Sequence, residues 1–343
     1  MTGARGPVLR GRGARSGEVI TVSSLADLGR DQWDDLVRAS RAPVFYSWDF
    51  LAAIERQPLT DGAEPFYLAV RGSDGLTAAT VVYRQRAVNP FGPPGAPAEP
   101  MLVGHLWHCY DTRLLSAGPV TAGLLGAIAQ ALDQLADEVG AVSRGLHNLD
   151  LTGPVAAAAG QDKLAAGSPR YRLVPGPGAN RDDHLAGLGP SSRRTMRKYL
   201  RRASEAGLKV SFEPAGASLD EAVLRMCLAT ADKHAPGYYP PEPLAALLRA
   251  LGPDCRILRL ELGGQLIACS VCLLDATAAH FWAGGSCYPD DLNWSPQYVL
   301  FGEELAHGFA AGRQVVEFGR RNDEFKARHG LTPHRLASWV WGD

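Results

Sequence analysis

Lys326 stands beside Phe325 near the end of Val315–Gly330, VVEFGRRNDEFKARHG, a stretch in which an apolar run meets a glycine and then a cluster of charge. Val315, Val316 and Phe318 are β-branched or aromatic, the composition of a core strand, and Gly319 ends the run where the backbone must turn. A lysine in the charged, non-periodic segment that follows stands at the strand's carboxyl end, where open α/β sheets place a ligand crevice. Burial there would lower its pKa by desolvation, which marks a site residue. The other reading is a solvated surface lysine, the commoner fate of the residue type.

A second concentration of chemistry lies at Ser191–Gly207, where Arg193, Arg194, Arg197, Lys198, Arg201 and Arg202 stand against Glu205 alone. Ser191 or Ser192 can cap a helix here and Gly207 can end it. Arg194, Arg197, Lys198 and Arg201 fall at i, i+3, i+4 and i+7 and share a face, while Met196, Tyr199, Leu200 and Ala203 make an apolar stripe on another side. Like charges crowded this way repel one another unless a polyanion neutralises them, so the face is either phosphate-binding or simply solvated.

Three further groupings are weaker. His105, His108, Cys109 and Asp111 cluster around Trp107, but a metal site would need ligands from elsewhere, and no second cluster at ligand spacing is present. Pocket lining by Trp107 and His108 is expected there, and no metal. Cys269 and Cys272 spell C-x-x-C inside an apolar strand-like run, where residues three apart point to opposite faces, so they read as core cysteines. The segment from His234 to Pro241 carries Tyr238 and Tyr239 on a proline-stiffened backbone, suited either to stacking on a base or substrate or to packing on the domain seam.

The elements that must position these residues follow from periodicity. Residues 1–17 carry arginines among glycines without apolar periodicity and read as a disordered basic arm. Strands are expected at Glu18–Val22, Phe66–Arg71, Leu76–Arg84, Gly145–Leu151 and Arg170–Val174, with helices at Asp31–Ala39, Trp48–Gln57 and Val120–Val139. Arg86–Pro100 is rich in proline and glycine and reads as a long loop able to cover a cleft. Beyond a hinge at Pro175–Gly178, helices are expected at Ser218–Lys233, Pro241–Leu251 and Ser295–Ala311. Arg256–Leu262, Gln265–Leu274 and Ala278–Ser286 form an antiparallel meander, and a last strand, Arg335–Trp341, closes the sheet.

The second half echoes the first. Pro243–Leu247 resembles Phe50–Ile54, and Gly264–Val271 resembles Gly75–Val82, in the same order at nearly the same separation, which points to a duplicated unit. The expected division is therefore residues 18–174 and 175–343, each an α/β domain. Composition agrees: a chain of 343 residues, 46% hydrophobic and 21% charged, is globular and long enough for two domains. The net charge of −1 leaves nucleic-acid affinity to a local patch. Leu266–Leu274 falls short of the roughly 18 apolar residues of a membrane span, and no apolar leader follows the N-terminal arginines, so a cytoplasmic location is expected. The six cysteines do not read as a disulfide framework, and reduced thiols are the default.

An ordered set of these features resembles the FemABX branch of the GNAT acyltransferase superfamily. The set is the basic helix leading into a strand, Ala283–Ser286 closing the meander, a helix opening at Ser295 and Pro296, and Phe318 and Gly319 ahead of Phe325, Lys326 and Gly330. The resemblance covers roughly Asp182–Arg335, and the first half joins through its duplication. It implies an α/β fold of α+β type, with two GNAT-like domains in tandem, each a mixed, mostly antiparallel sheet flanked by helices. It implies an aminoacyl group moved from aminoacyl-tRNA to an amine, hydroxyl or hydroxylamine of a small molecule or cell-wall precursor, without a metal or other cofactor. Phe325 and Lys326 then match the pair lining the reaction centre, and the basic helix matches a surface for the tRNA acceptor arm. Aminolysis of an ester needs a stabiliser for the tetrahedral oxyanion, and a buried ammonium suits that task. The substrate pocket is expected to draw on Tyr238, Tyr239, Trp282, Tyr298, Trp107 and His108.

Two other functions stay open. An acyl-CoA-dependent N-acyltransferase on the same fold would offer backbone amides to the pyrophosphate through a glycine-containing loop, with acetyl-CoA or another acyl-CoA as donor. Here Ser286–Pro296 lacks glycine and carries Asp290 and Asp291. A non-catalytic binding module with the same fold is the third reading.

Overall fold

The computed structural model describes residues 18–87, 98–233 and 235–342. In chain order the first elements are β1 (Val19–Val22), α1 (Arg30–Ala39), α2 (Trp48–Arg56), β2 (Glu64–Arg71), β3 (Leu76–Ala87), β4 (Glu99–Gly104) and β5 (Leu115–Ser116). Then come α3 (Ala122–Val139), β6 (Ser143–Asp150), α4 (Pro154–Ala159), β7 (Ala165–Ala166), β8 (Arg170–Leu173), α5 (Arg181–Gly187), α6 (Pro190–Glu205), β9 (Lys209–Pro214) and α7 (Ala215–Ser218). The rest are α8 (Glu221–Asp232), α9 (Pro241–Ala250), β10 (Cys255–Leu262), β11 (Gln265–Leu274), β12 (Ala278–Ser286), α10 (Pro296–Ala310), β13 (Val315–Glu317), α11 (Asp323–Arg328), β14 (Thr332–His334) and β15 (Leu336–Gly342).

The strands make an eight-stranded sheet in the order β1-β2-β3-β4-β6-β15-β7, with β5 on β3, and a seven-stranded sheet in the order β14-β8-β13-β12-β11-β10-β9. Each sheet has one parallel pair, β4 with β6 and β12 with β13, among otherwise antiparallel neighbours. In each a long helix, α3 or α10, precedes the strand that makes the parallel pair. The repeated helix and hairpin segments of the sequence are α2 with β2–β3 and α9 with β10–β11, so the internal echo corresponds to matching parts of two like folds.

The chain divides into two compact units, one running to Ser168 and taking in Arg335–Asp343, the other Pro169–His334. This differs from the division at residues 174 and 175. Arg170–Leu173 does not finish the first sheet but pairs with β13 and β14 in the second. Nor does the last strand close the second sheet: it pairs with β6 and β7 in the first. A short strand carries no label for its partner, since any open sheet edge offers the same unpaired N–H and C=O groups.

Local chemistry accounts for most boundaries. Thr121 caps α3 by accepting from the Leu124 amide, and Asp220 caps α8 by accepting from Val223, so the expected helix at Ser218–Lys233 starts at Glu221. The basic helix begins at Pro190, two or three residues earlier than a serine cap would set it, because proline fits a first turn whose N–H has no partner. Neither Ser191 nor Ser192 caps it; Gly189 holds the cap position without a side-chain bond. Gly207, at φ +79, ends it as expected. Part of the expected Arg86–Pro100 loop is strand, at the end of β3 and the start of β4. Residues 88–97, the arm at 1–17 and His234 lie outside the described residues.

The first unit's core sets Leu125, Ile128, Leu132 and Leu135 of α3 against Leu68, Val82, Leu102 and Leu146 of the sheet. In the second unit, Met196 of α6 and Phe301 and Leu305 of α10 pack with Phe281, Val316 and Phe318. Each such side chain contributes roughly 1.5–3 kcal/mol on burial. A Cβ at Gly302 would lie 2.9 Å from Leu200, and one at Gly308 2.7 Å from Val316, so glycines let α10 seat closely on α6 and on β13.

Candidate functional site

In the second unit β12 and β13 run parallel only through the pairs Ala278–Val315, Ala279–Val316 and His280–Glu317. β12 then continues beside β11 to Ser286, while β13 ends at Glu317. The two strands part at their carboxyl ends, where such sheets place ligands. After β13 the chain turns through Gly319, Arg321 and Asn322, at φ +67, +64 and +54. The last two are uncommon conformations for residues bearing a Cβ. This turn leads into α11, which returns Lys326 toward the strand's end.

Lys326 is 8% exposed, and its Nζ donates to the carbonyls of Gly319 at 3.0 Å and Arg320 at 2.8 Å. The ammonium also lies 5.6 Å from the centre of the Tyr171 ring. Burial lowers its pKa to about 8, against the opposing pull of Glu304, Asp323 and Glu317. The segment expected to be non-periodic is thus a short helix, and its lysine is an interior group. Phe325 packs at 5.0 Å from Tyr298, 5.2 Å from Phe301 and 4.2 Å from His329. His329 is buried, with Nδ1 2.7 Å from the Phe325 carbonyl oxygen, and burial lowers its pKa, which favours the neutral ring.

Sequence patterning missed Glu304. It is one of few charged residues on the buried side of α10, and burial raises its carboxyl to about 7, while a hydrogen bond with Ser270 and the charge of Lys326 act the other way. Its signal was an acid at an inward helical position, which periodicity treats as noise. Glu317 is 2% exposed and lies 3.6 Å from Arg170.

The basic residues of α6 sort into two groups. Arg193 donates to the Ala186 carbonyl at 2.8 Å and Arg202 to the Asn293 carbonyl at 2.6 Å, so both tie the helix to its neighbours. Arg194, Arg197, Lys198 and Arg201 are exposed, on the face that their spacing defines. Glu205 lies 3.5 Å from Arg201, and Lys198 lies 5.6 Å from the Tyr199 ring. Met196 and Ala203 are buried, as the stripe requires.

Of the expected pocket residues, Tyr298 joins Phe325. Tyr239 sits 4.8 Å from Tyr238 and 5.3 Å from Trp282, and both Tyr239 and Trp282 are buried, so these three rings pack together. Trp107 and His108 belong to the first unit, where Trp107 stacks 4.0 Å from His147 and His108 is buried. His105 is a core residue: its Nε2 meets the Phe45 carbonyl at 3.0 Å, its ring lies 5.1 Å from Tyr46 and 5.3 Å from Tyr83, and burial drops its pKa to about 3. Asp111 instead lines a cavity of the first unit with Arg113, Ser116 and Asp150. Among the described residues no group of three or more His, Cys, Asp or Glu side chains could hold a metal ion. Cys269 approaches the Val223 carbonyl of α8 while Cys272 lies in the core under α10, on opposite faces of β11 as expected. No described helix is long and apolar enough to cross a membrane.

Residues 190–327 match the family model of an acetyltransferase (GNAT) domain, so the second unit carries a GNAT acyltransferase domain. No curated protein sequence matches the chain. Among solved structures, FemX is similar at 9% identity and TM-score 0.61, over 91% of this chain and 96% of FemX. A tandem GNAT protein from the clavulanic acid biosynthesis pathway is similar at 15% identity and TM-score 0.53, over 95% and 98% of the two chains. The C-terminal domain of a putative lysylphosphatidylglycerol synthetase from Agrobacterium fabrum is similar at 14% identity and TM-score 0.52, over 92% and 93%. These likenesses establish the fold: two GNAT-like units in tandem.

Proposed function

We propose that this GNAT-fold acyltransferase is an aminoacyltransferase that takes its acyl group from aminoacyl-tRNA and passes it to an amine, hydroxyl or hydroxylamine of a small molecule or cell-wall precursor. The observation that carries the reading is Lys326, buried and pinned to the end of β13 where β12 and β13 part. The acceptor's nucleophile attacks the ester carbonyl carbon of the aminoacyl group. Negative charge then develops on the carbonyl oxygen, where a desolvated ammonium is worth far more than in water. The tetrahedral intermediate collapses by breaking the ester C–O bond, and the departing ribose oxygen of the tRNA leaves as a hydroxyl with the proton the nucleophile gives up. The exposed cations of α6 would meet the phosphates of the acceptor arm. FemX supports the reading by its fold, and the lysylphosphatidylglycerol synthetase domain by its fold and by an acceptor class that its name gives.

An acyl-CoA donor is the second reading, favoured by the acetyltransferase description of the matching family. Against it stands the approach to α10, where Cys287–Ser295 offers no glycine and presents two exposed acids, Asp290 and Asp291. Binding of the protein to aminoacylated tRNA, deacylated tRNA and acetyl-CoA over a salt series separates the two. Salt-dependent tRNA binding that is lost in an R194A/R197A/R201A variant is expected; saturable acetyl-CoA binding without tRNA affinity would overturn the reading.

A further inference from the structure

Within the second unit a line of side chains runs from the exposed cations of α6 to the residue before Lys326. Lys198 Nζ lies 5.6 Å from the centre of the Tyr199 ring, Tyr199 meets Tyr298 of α10 at 5.3 Å, and Tyr298 meets Phe325 of α11 at 5.0 Å. Both ring contacts are edge-to-face, at interplanar angles of 74° and 86°. All three rings are half-buried: each packs against a core cluster of the unit, and part of each stays open to solvent. Packing accounts for the buried part. It does not account for a line of open aromatic surface that starts at a cation and stops beside the buried lysine.

Cations beside open rings suit a single-stranded nucleic acid, whose phosphates pair with the first and whose bases stack on the second. The donor of the aminoacyl-transfer reading has a paired acceptor arm and an unpaired 3′ tail whose terminal adenosine bears the ester. Resting on that reading, we propose that Tyr199 and Tyr298 stack the unpaired bases of the donor tail, so that the acceptor arm lies on Arg194, Arg197, Lys198 and Arg201 while the ester arrives beside Phe325 and Lys326. Asp323 and Glu324, exposed in the first turn of α11, repel phosphate. Phosphate contacts therefore end at α6, and aromatic surface carries the last part of the path. The two tyrosines are positioning residues, and the affinity they add belongs to the tail and not to the duplex.

The test is binding of the full chain to intact tRNA, to tRNA trimmed to its paired end, and to intact tRNA with 2-aminopurine in the tail, a base whose fluorescence falls when it stacks. Intact tRNA should bind about tenfold tighter than trimmed tRNA, the gap that one stacked base supplies, and the probe should be quenched. Y199L/Y298L keeps the apolar bulk and removes the flat rings. It should close most of the gap and restore the fluorescence, with the salt dependence left as in wild type because the phosphate contacts remain. Y199F/Y298F should behave as wild type. Should the leucine pair not fold, Y298L alone decides by the same two readouts. Intact and trimmed tRNA binding alike, or quenching that survives the leucine substitutions, overturns the proposal and leaves the functional reading standing. Failure to bind any tRNA overturns both, and acetyl-CoA binding that the leucine pair weakens would then give the rings to the adenine of the other donor.

Discussion

Lys326 commits two of its three N–H donors to the Gly319 and Arg320 carbonyls, which leaves one to face a reacting oxygen. K326M should lower kcat by about 10²–10³-fold, the typical loss of an oxyanion donor, with tRNA binding unchanged in the same preparation. Because the charged form is the active one and its pKa is about 8, transfer should fall as pH rises past that value. Residue type and the preceding glycine marked Lys326 in the sequence; its burial was not legible, because burial depends on which helix covers it. Asp275 was invisible altogether. It accepts from Thr277 N at 2.8 Å, Ala278 N at 2.7 Å and His280 at 2.9 Å in the turn between β11 and β12. Burial pushes its pKa up, but His280 and these amides outweigh burial and hold it well below the usual carboxylate range. A depressed carboxyl stabilises fully above its unfolded value of about 4 and less as pH falls through the folded one. D275N should therefore cost about 3 kcal/mol at pH 7 and lose most of its deficit in acid, measured by denaturant unfolding.

At the scale of elements, the six cations of α6 read as one patch in sequence, yet two of them brace the helix. R194A/R197A/R201A should flatten the salt dependence of tRNA binding without moving the melting temperature, whereas R193A and R202A should lower the melting temperature first. Periodicity located α6 and its faces because a 3.6-residue repeat is written in side-chain type. It could not tell an arginine that meets a carbonyl from one that meets solvent. Helix α10 shows the converse: Gly302 and Gly308 look like breakers in a helix but are contact points, so G302V should cost about 1–3 kcal/mol by forcing α6 away, visible in thermal unfolding. Helix α11 escaped notice because six residues hold too little periodicity to register.

For the whole molecule, the arrangement of strands is the decisive feature. β15 lies between β6 and β7, so a chain ending at His334 would leave β6 with an open edge. Amide exchange in Ser143–Asp150 should then speed up, while exchange in β10 and β11 stays slow; uniform loss of protection would contradict the division into two units. Sequence alone determined that there are two like folds, since a duplication leaves matching segments at a nearly constant offset, and it determined the helix faces and the meander, since each is written in local periodicity. Tertiary structure decided what pairs with what at long range: β8 with β13, β15 with β6, and the burial of Glu304 and Lys326 on α10 and α11. The physical reason is that hydrogen-bonding edges and buried charges are satisfied by whichever groups the folded chain brings near, and no stretch of sequence names its distant partner.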